Sequence, residues 1–359
     1  MHRLKDLLAI RDAVEGKMVS IFKKHRKFYP SVFGHLRFTF LILCLLTLLS
    51  CSGKDNNSKI EVRVISSKIG PLAVLRKQST FAQNMAAKGY SVKWLEFPGG
   101  PQQMEAVNTG NLDITFAGES PSIFAQAAGI PVVYLATTNP NPKSVAFLVP
   151  YNSSIKNIPE LKGKKITLPK ASAVQYTLVK GLAQAGLKLS DVIPVYLAPA
   201  DANIAFSREQ VDAWVIWEPF ITLTEAKKNG RILKDGEGLK DIGNFYMTSR
   251  KFAQQRREFI KLFLEEVQKA EAWSRENPRK FAELIADELI IDIPNLEKII
   301  SKYDPGILPI TDDVIARQQK IADMYYEIGM LPQRVDIKQA VLTPQEYATF
   351  TPKKLTAKP

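Results

Sequence analysis

The chain has 359 residues, 45% hydrophobic and 24% charged, which is enough for two domains with well-formed cores. Its formal net charge of +13 reflects 49 Lys/Arg against 36 Asp/Glu, without the dense basic stripe that binding of nucleic acid requires. All three His (2, 25 and 35) and Cys44 fall in the first 50 residues. Without that segment the chain has no His and a single cysteine, Cys51, which excludes His-based triads, His-ligated metal sites and an intrachain disulfide.

The N-terminal 50 residues hold nine Lys/Arg and three acids. Lys23–Arg37 is basic, and Phe38–Leu49 is a twelve-residue apolar run. That length suits a signal-peptide core and falls short of the ~20 residues of a spanning helix. The run ends in Leu48-Leu49-Ser50-Cys51, which resembles the bacterial lipobox; the resemblance implies that Cys51 is lipidated and becomes the mature N-terminus. Residues 1–50 are therefore read as a lipoprotein-type signal peptide and 51–58 as a polar tether. Met18 is an alternative start that would give the leader a more ordinary length.

From there the chain alternates strands and helices. Ile60–Ser66 is β-branched and alternating, predicting a strand, and Leu72–Lys88 predicts a helix closed by Gly89. Ser91–Phe97 reads as a second strand, Pro98–Pro101 as a tight turn, and Gln102–Thr109 as a helix capped by Gly110. Asn111–Gly129 then gives an apolar strand, a Gly-containing turn and a helix opened by Pro121. Pro131–Thr137 is a further strand, and the Pro/Asn-rich link Thr138–Pro142 reads as a crossing to a second lobe.

The second lobe is expected to open with a strand over Val145–Val149. A helical turn at Ile158–Leu161, a strand over Lys164–Leu168, a helix running to Gly186 and a strand at Val195–Leu197 follow. Asp201–Ser207 is a helix with Asp201 as N-cap. Gln210–Gly230 then repeats the plan of Asn111–Gly129. Asp113 and Asp212 open an apolar strand, Glu119-Ser120-Pro121 and Glu218-Pro219 end it and start a helix, and a strand follows each. Arg231–Asp235 is expected to cross back. Helices are predicted over Lys251–Asn277, from Pro278 onward, and over Thr311–Ile328.

Two like strand–turn–helix–strand modules imply two α/β lobes, with ligand gathered at the carboxyl ends of strands. The predicted organisation is residues 60–138 plus 237–350 as lobe one, 139–236 as lobe two and 351–359 as a tail.

Five segments carry a resemblance. Ser122–Gly129 (SIFAQAAG), Lys143–Pro150 (KSVAFLVP), Ile158–Lys165 (IPELKGKK), Val195–Ala202 (VYLAPADA) and Val211–Phe220 (VDAWVIWEPF) are similar to the periplasmic solute-binding proteins of sulfonate ABC transporters. Relatives of that group bind taurine, nitrate or bicarbonate. Gln318–Leu331 and Val335–Leu342 also fit the aliphatic-sulfonate branch. The resemblance implies a two-lobed type II periplasmic-binding-protein fold that closes on its ligand, a small sulfonate-class anion. It also implies delivery to permease and ATPase subunits, membrane attachment through Cys51, an extracytoplasmic location, and no cofactor, metal or catalytic residue. Three departures stand out: Ile65-Ser66-Ser67 in place of a Gly-Tyr-Gln run, Gly118-Glu119-Ser120-Pro121-Ser122 in place of a Gly-Asp-x-Pro-Pro turn, and Glu209 where a Gly is usual.

A small oxyanion is held by helix N-termini, whose free N–H groups and dipole favour negative charge. Helix starts after Ser67-Lys68, at Gly118, near Ser172 and Gln175, and at Glu218 fit that need. Ser67, Ser120 and Ser172 could add hydroxyl donors or serve as N-caps, and Gly118 would permit close approach. Lys68 either pairs with the anion or is a solvated surface group, and Thr138, at the crossing, is taken as a further ligand-binding residue. Trp214 and Trp217 lie on opposite faces of one strand; Trp217 is expected in the cleft as a wall for an alkyl or aryl body. Glu119 and Glu218 would fasten the lobes through Lys or Arg, bind a ligand amine or, as the favoured reading, cap helices. A desulfinase-like or cofactor-biosynthetic enzyme on the same fold is the main alternative, but it would want an activated cysteine. A lipoprotein of structural or sensory role is the other.

Overall fold

The computed structural model describes residues 59–304 and 306–352. The expected leader, Cys51, the tether and residues 353–359 lie outside them.

Eleven strands run through the described residues: β1 (Ile60–Ile65), β2 (Tyr90–Leu95), β3 (Ile114–Ala117), β4 (Val132–Thr138), β5 (Val145–Pro150), β6 (Lys165–Leu168), β7 (Ile193–Tyr196), β8 (Ala213–Trp217), β9 (Gly230–Asp235), β10 (Phe245–Ser249) and β11 (Ile307–Leu308). They form a six-stranded sheet ordered β11-β4-β10-β3-β1-β2 and a five-stranded sheet ordered β7-β6-β8-β5-β9. All seven residues of β4 are buried, as are the first five of β5, which suits central strands covered on both faces.

The helices of the first half are α1 (Pro71–Lys77), α2 (Ser79–Ala87), α3 (Gly100–Asn108) and α4 (Glu119–Ala127). Then come α5 (Ala173–Gln184), α6 (Pro199–Ser207) and α7 (Phe220–Ala226) in the second sheet's half. The chain closes with α8 (Arg250–Gln255), α9 (Arg257–Glu276), α10 (Pro278–Leu289), α11 (Ile293–Ile300), α12 (Asp312–Glu327) and α13 (Pro344–Phe350). In α9, Phe259, Ile260, Phe263, Leu264 and Val267 recur on one face and join the larger core.

The doubling read in the sequence is a doubling of topology. The row β4-β10-β3-β1-β2 matches β9-β5-β8-β6-β7 strand for strand. In each sheet an antiparallel strand arriving from a crossing fills the slot between two parallel strands: β10 between β3 and β4, β5 between β8 and β9. The two aspartates do the same work. Asp113 takes the Arg63 N–H at 2.8 Å and returns its own N–H to the Arg63 carbonyl at 2.8 Å. Asp212 takes the Lys165 N–H at 2.7 Å and returns its own at 2.9 Å. Each side chain thus extends a parallel ladder by one pairing.

The crossings, 139–144 and 236–244, run side by side. Thr138 N–H meets the Asn244 carbonyl at 2.9 Å and Gly236 N–H the Pro142 carbonyl at 3.1 Å. A Cβ on Gly243 would lie 1.8 Å from the Thr138 carbonyl oxygen, so only glycine fits there.

Several expectations are corrected. The helix over Leu72–Lys88 breaks at the extended Gln78. At 100° per residue Phe81 would sit about a third of a turn from Leu75, and the break lets both face the core. The helix over Lys251–Asn277 breaks likewise at Arg256. Arg231–Asp235 does not cross back; it is β9, paired with β5, and the return is made after it. The helix containing Pro121 starts two residues earlier, at Glu119. Asp201 is not an N-cap, because α6 begins at Pro199 and places Asp201 in the first turn, where its charge still complements the dipole. Glu209, despite lacking glycine's freedom, ends α6 in the left-handed region (φ 55°) as Gly110 ends α3 (φ 69°). That conformation costs about 1 kcal/mol in a non-glycine residue.

Candidate functional site

A cavity of about 430 Å³ opens where the carboxyl ends of both sheets meet. Ser67, Lys68, Gly118, Thr138, Ser172, Trp217 and Glu218 all line it, so seven of the ten residues singled out are brought together. Glu119, Ser120 and Gln175 are not among its lining residues; all three are fully buried.

The local sequence explains these placements. Gly118 precedes α4 in an extended conformation, and a Cβ there would sit 2.6 Å from the Ala173 Cβ at the start of α5. Its smallness therefore admits the opposite lobe. Ser120, one residue into α4, turns its hydroxyl to Tyr325 at 2.7 Å, so it ties α4 to α12. Ser172 is the residue before α5, yet its hydroxyl donates to the Pro169 carbonyl at 2.6 Å rather than capping the helix. The Ser67 hydroxyl donates to the Ile69 carbonyl at 2.5 Å in a local turn. Both hydroxyl protons are thus engaged within the protein, and the starts of α1, α4 and α5 line the cavity with their free N–H groups at hand.

The tryptophans part as the strand period requires. Trp214 is wholly buried against Phe206 and Phe220, whereas Trp217 is partly exposed and lines the cavity with Phe116, Phe220 and Phe281.

Charge at the walls is nearly all paired. Glu119 Oε2 receives Lys240 Nζ at 2.9 Å; both side chains are buried, and Lys240 belongs to the return crossing. Glu218 holds Lys302, from the segment after α11, and takes the Thr222 N–H at 3.1 Å and the Thr222 hydroxyl at 2.9 Å. It therefore caps the first turn of α7 and also fastens the lobes. Glu119 does not cap, because α4 begins at Glu119 itself, and its pair with Lys240 ties α4 to the return crossing rather than to lobe two. Lys68 is exposed, 3.6 Å from Glu96.

Lys240, Lys302, Asn141, Asn244 and Glu271 were not singled out in the sequence. For Glu271 a signal existed. It lies four residues after Val267 and seven after Leu264, so the helical period puts a carboxyl on the buried face of α9. Burial pushes that carboxyl up from its ordinary 4.5 to about 8, with Arg275 and the Ile307 amide opposing and Asp304 adding to the rise. Among the described residues no group of His, Cys, Asp and Glu could hold a metal ion, and no helix is long and apolar enough to cross a membrane.

Residues 86–281 match the family described as NMT1/THI5 like. A protein of Escherichia coli (strain K12), provisionally named an aliphatic sulfonates-binding protein, is 39% identical over 256 residues, covering 71% of this chain and 80% of that one. Among solved structures, the alkanesulfonate-binding protein SsuA from Xanthomonas axonopodis pv. citri bound to MOPS is similar at a TM-score of 0.76 and 33% identity, over 79% of this chain and 99% of that one. The periplasmic aliphatic sulphonate binding protein SsuA from Escherichia coli is similar at a TM-score of 0.72 and 36% identity, over 80% and 92%. The architecture is thus the periplasmic-binding-protein fold.

Proposed function

This chain belongs to the NMT1/THI5-like family, and on that premise we propose that it is the solute-binding component of an ABC importer, capturing a small organosulfonate between its lobes. The convergence of the α1, α4 and α5 starts on one cavity supports this most directly. Lys68 and Lys240, which line it, already lie against carboxylates. A sulfonate would therefore be held mainly by helix amides, with no proton to transfer. Trp217 supplies the wall for the ligand's body, and Ser67, Thr138 and Ser172 shape the headgroup end. Glu119, Ser120 and Gln175 support it from behind.

Nucleophilic desulfination would need a thiol, and none of the described residues that line this cleft is a cysteine. In this proposal the leader directs the chain out of the cytoplasm, lipid on Cys51 holds it at the membrane, and closure of lobe two (139–236) on lobe one presents the ligand to a permease and its ATPase. Labelled fatty acid incorporated by the wild type and lost in Cys51→Ser checks the anchor.

Calorimetry on residues 59–359 against alkanesulfonates, taurine, nitrate, bicarbonate and thiamine precursors is expected to give micromolar or tighter binding for sulfonates. Silence across the panel sinks the importer reading, and turnover of any compound favours an enzyme. Trp217→Ala is expected to weaken alkanesulfonate binding by about tenfold, the scale of losing one aromatic contact wall. An unchanged affinity removes Trp217 from the ligand wall.

A further inference from the structure

α7 and α11 come from different halves of the molecule, yet their charged faces lie against each other. α7 follows β8 of the five-stranded sheet, whereas Leu296, Ile299 and Ile300 of α11 belong to the larger core, built on the six-stranded one. Glu218, Thr222 and Glu225 are spaced four and three apart, which puts them on one face of α7 and the turn that opens it. Lys298 and Lys302 are four apart, on one face of α11 and the turn that closes it. The two faces meet in antiparallel order. Lys302 reaches Glu218 and, at 3.2 Å, the Thr222 hydroxyl; Lys298 reaches Glu225 at 3.2 Å. Leu223 adds an apolar contact beside them by packing against the larger core.

The same two elements also make part of the cavity wall. Pro219 and Phe220 line it from the start of α7, and Ile300 and Tyr303 from the end of α11; Thr222, Glu225, Lys298 and Lys302 do not. Parting the seam therefore moves walls that flank the ligand. The two ion pairs differ in kind. Glu218 has no exposed side-chain surface, borders the cavity and caps α7, so altering it would disturb several things at once. Lys298 is half-exposed and Glu225 about a quarter exposed, and neither lines the cavity, so this pair joins the two halves and leaves the ligand untouched.

We propose that Glu225 and Lys298 are positioning residues that set the affinity of the cleft without meeting its ligand. The proposal takes its ligand from the sulfonate reading and adds a control to the same site. A ligand held between closed lobes leaves only when they part, so the seam acts on the rate of dissociation. The sign of the effect separates this from simple charge attraction. Glu225→Lys replaces a negative charge with a positive one, which would draw an anion faster. At the seam it sets like charges side by side, which favours parting and quickens release.

The test follows butanesulfonate binding and release by stopped-flow tryptophan fluorescence, with Trp217 in the cavity wall as reporter. In Glu225→Lys the dissociation rate is expected to rise about fivefold, the scale of an exposed pair turned into a repulsion. Adding Lys298→Glu restores opposite charges across the seam and is expected to return the rate to within about twofold of wild type. Glu225→Gln removes the attraction without adding a repulsion and is expected to quicken release about twofold; it decides the matter if the reversal lowers the melting temperature. Unchanged or slower release in these variants, or faster release that Lys298→Glu does not reverse, overturns the positioning role. Small-angle scattering on the free proteins needs no ligand. The radius of gyration is expected to be larger in Glu225→Lys than in the wild type and the double variant, and equal radii overturn the role as well. If the wild type does not bind butanesulfonate, the sulfonate reading falls, and the scattering comparison alone decides the role of the seam.

Discussion

Replacing Lys240 by Met is expected to destabilise the protein by about 3–5 kcal/mol, the range for removing one partner of a buried ion pair. Glu119 cannot move to water when its partner goes: its side chain is fully buried, and Oε1 has no hydrogen-bond partner even with Lys240 in place. Ser120, the next residue, is held by Tyr325, so α4 has little freedom to carry the carboxylate outward. The loss should appear as a lowered midpoint in urea with little change in slope. Adding Glu119→Gln to Lys240→Met should recover more than half of it, because the uncompensated charge is then gone. A Lys240→Met protein within about 1 kcal/mol of wild type would show that the pair contributes little beyond its own burial cost.

Gly118→Ala is expected to weaken ligand binding by about ten- to a hundredfold while changing the melting temperature far less. The glycine has φ −71° and ψ −174°, which alanine adopts freely, so the obstacle is wholly steric. The new methyl would meet the Ala173 Cβ at 2.6 Å and its Cα at 3.2 Å, well inside normal carbon contact. Relieving it means holding the α5 start away from the α4 start. Overpacking of this size costs about 1–3 kcal/mol, here charged against closure rather than folding. Ala173→Gly in the same chain should restore most of the affinity. If the affinity of Gly118→Ala matches wild type, the two helix starts are not what closure brings together.

How much of this could be read in advance depended on whether the cue was local. The paired modules were legible because Gly and Pro punctuate them and because Asp113 and Asp212 sit at matching places. The crossing near 138–142 was marked by its prolines and asparagines. By contrast β10 carries no turn signal and no alternation in Phe245–Ser249; it is a strand because β3 and β4 leave a slot for it. The direction of a side chain at a turn was equally hidden. Ser120 and Ser172 look alike in the sequence, yet one faces α12 and the other lines the cavity, a choice made by what packs behind them. Lys240 has no periodic context at all, whereas Glu271 announced itself by standing where an apolar residue belongs.

Where the antiparallel strand of each sheet falls in the chain also sets an order of assembly. All five strands of lobe two lie within 145–235, so that half can complete its sheet as soon as it leaves the ribosome. Lobe one cannot. After β4 emerges, roughly a hundred residues must follow before Phe245–Ser249 arrives to fill the gap beside β3, on the order of ten seconds at ordinary synthesis rates. Through that interval β3 and β4 present open edges, the feature that invites mispairing with other chains. A protein exported across a membrane in extended form would meet the same delay on the far side, which makes the first-synthesised half the one in need of chaperoning.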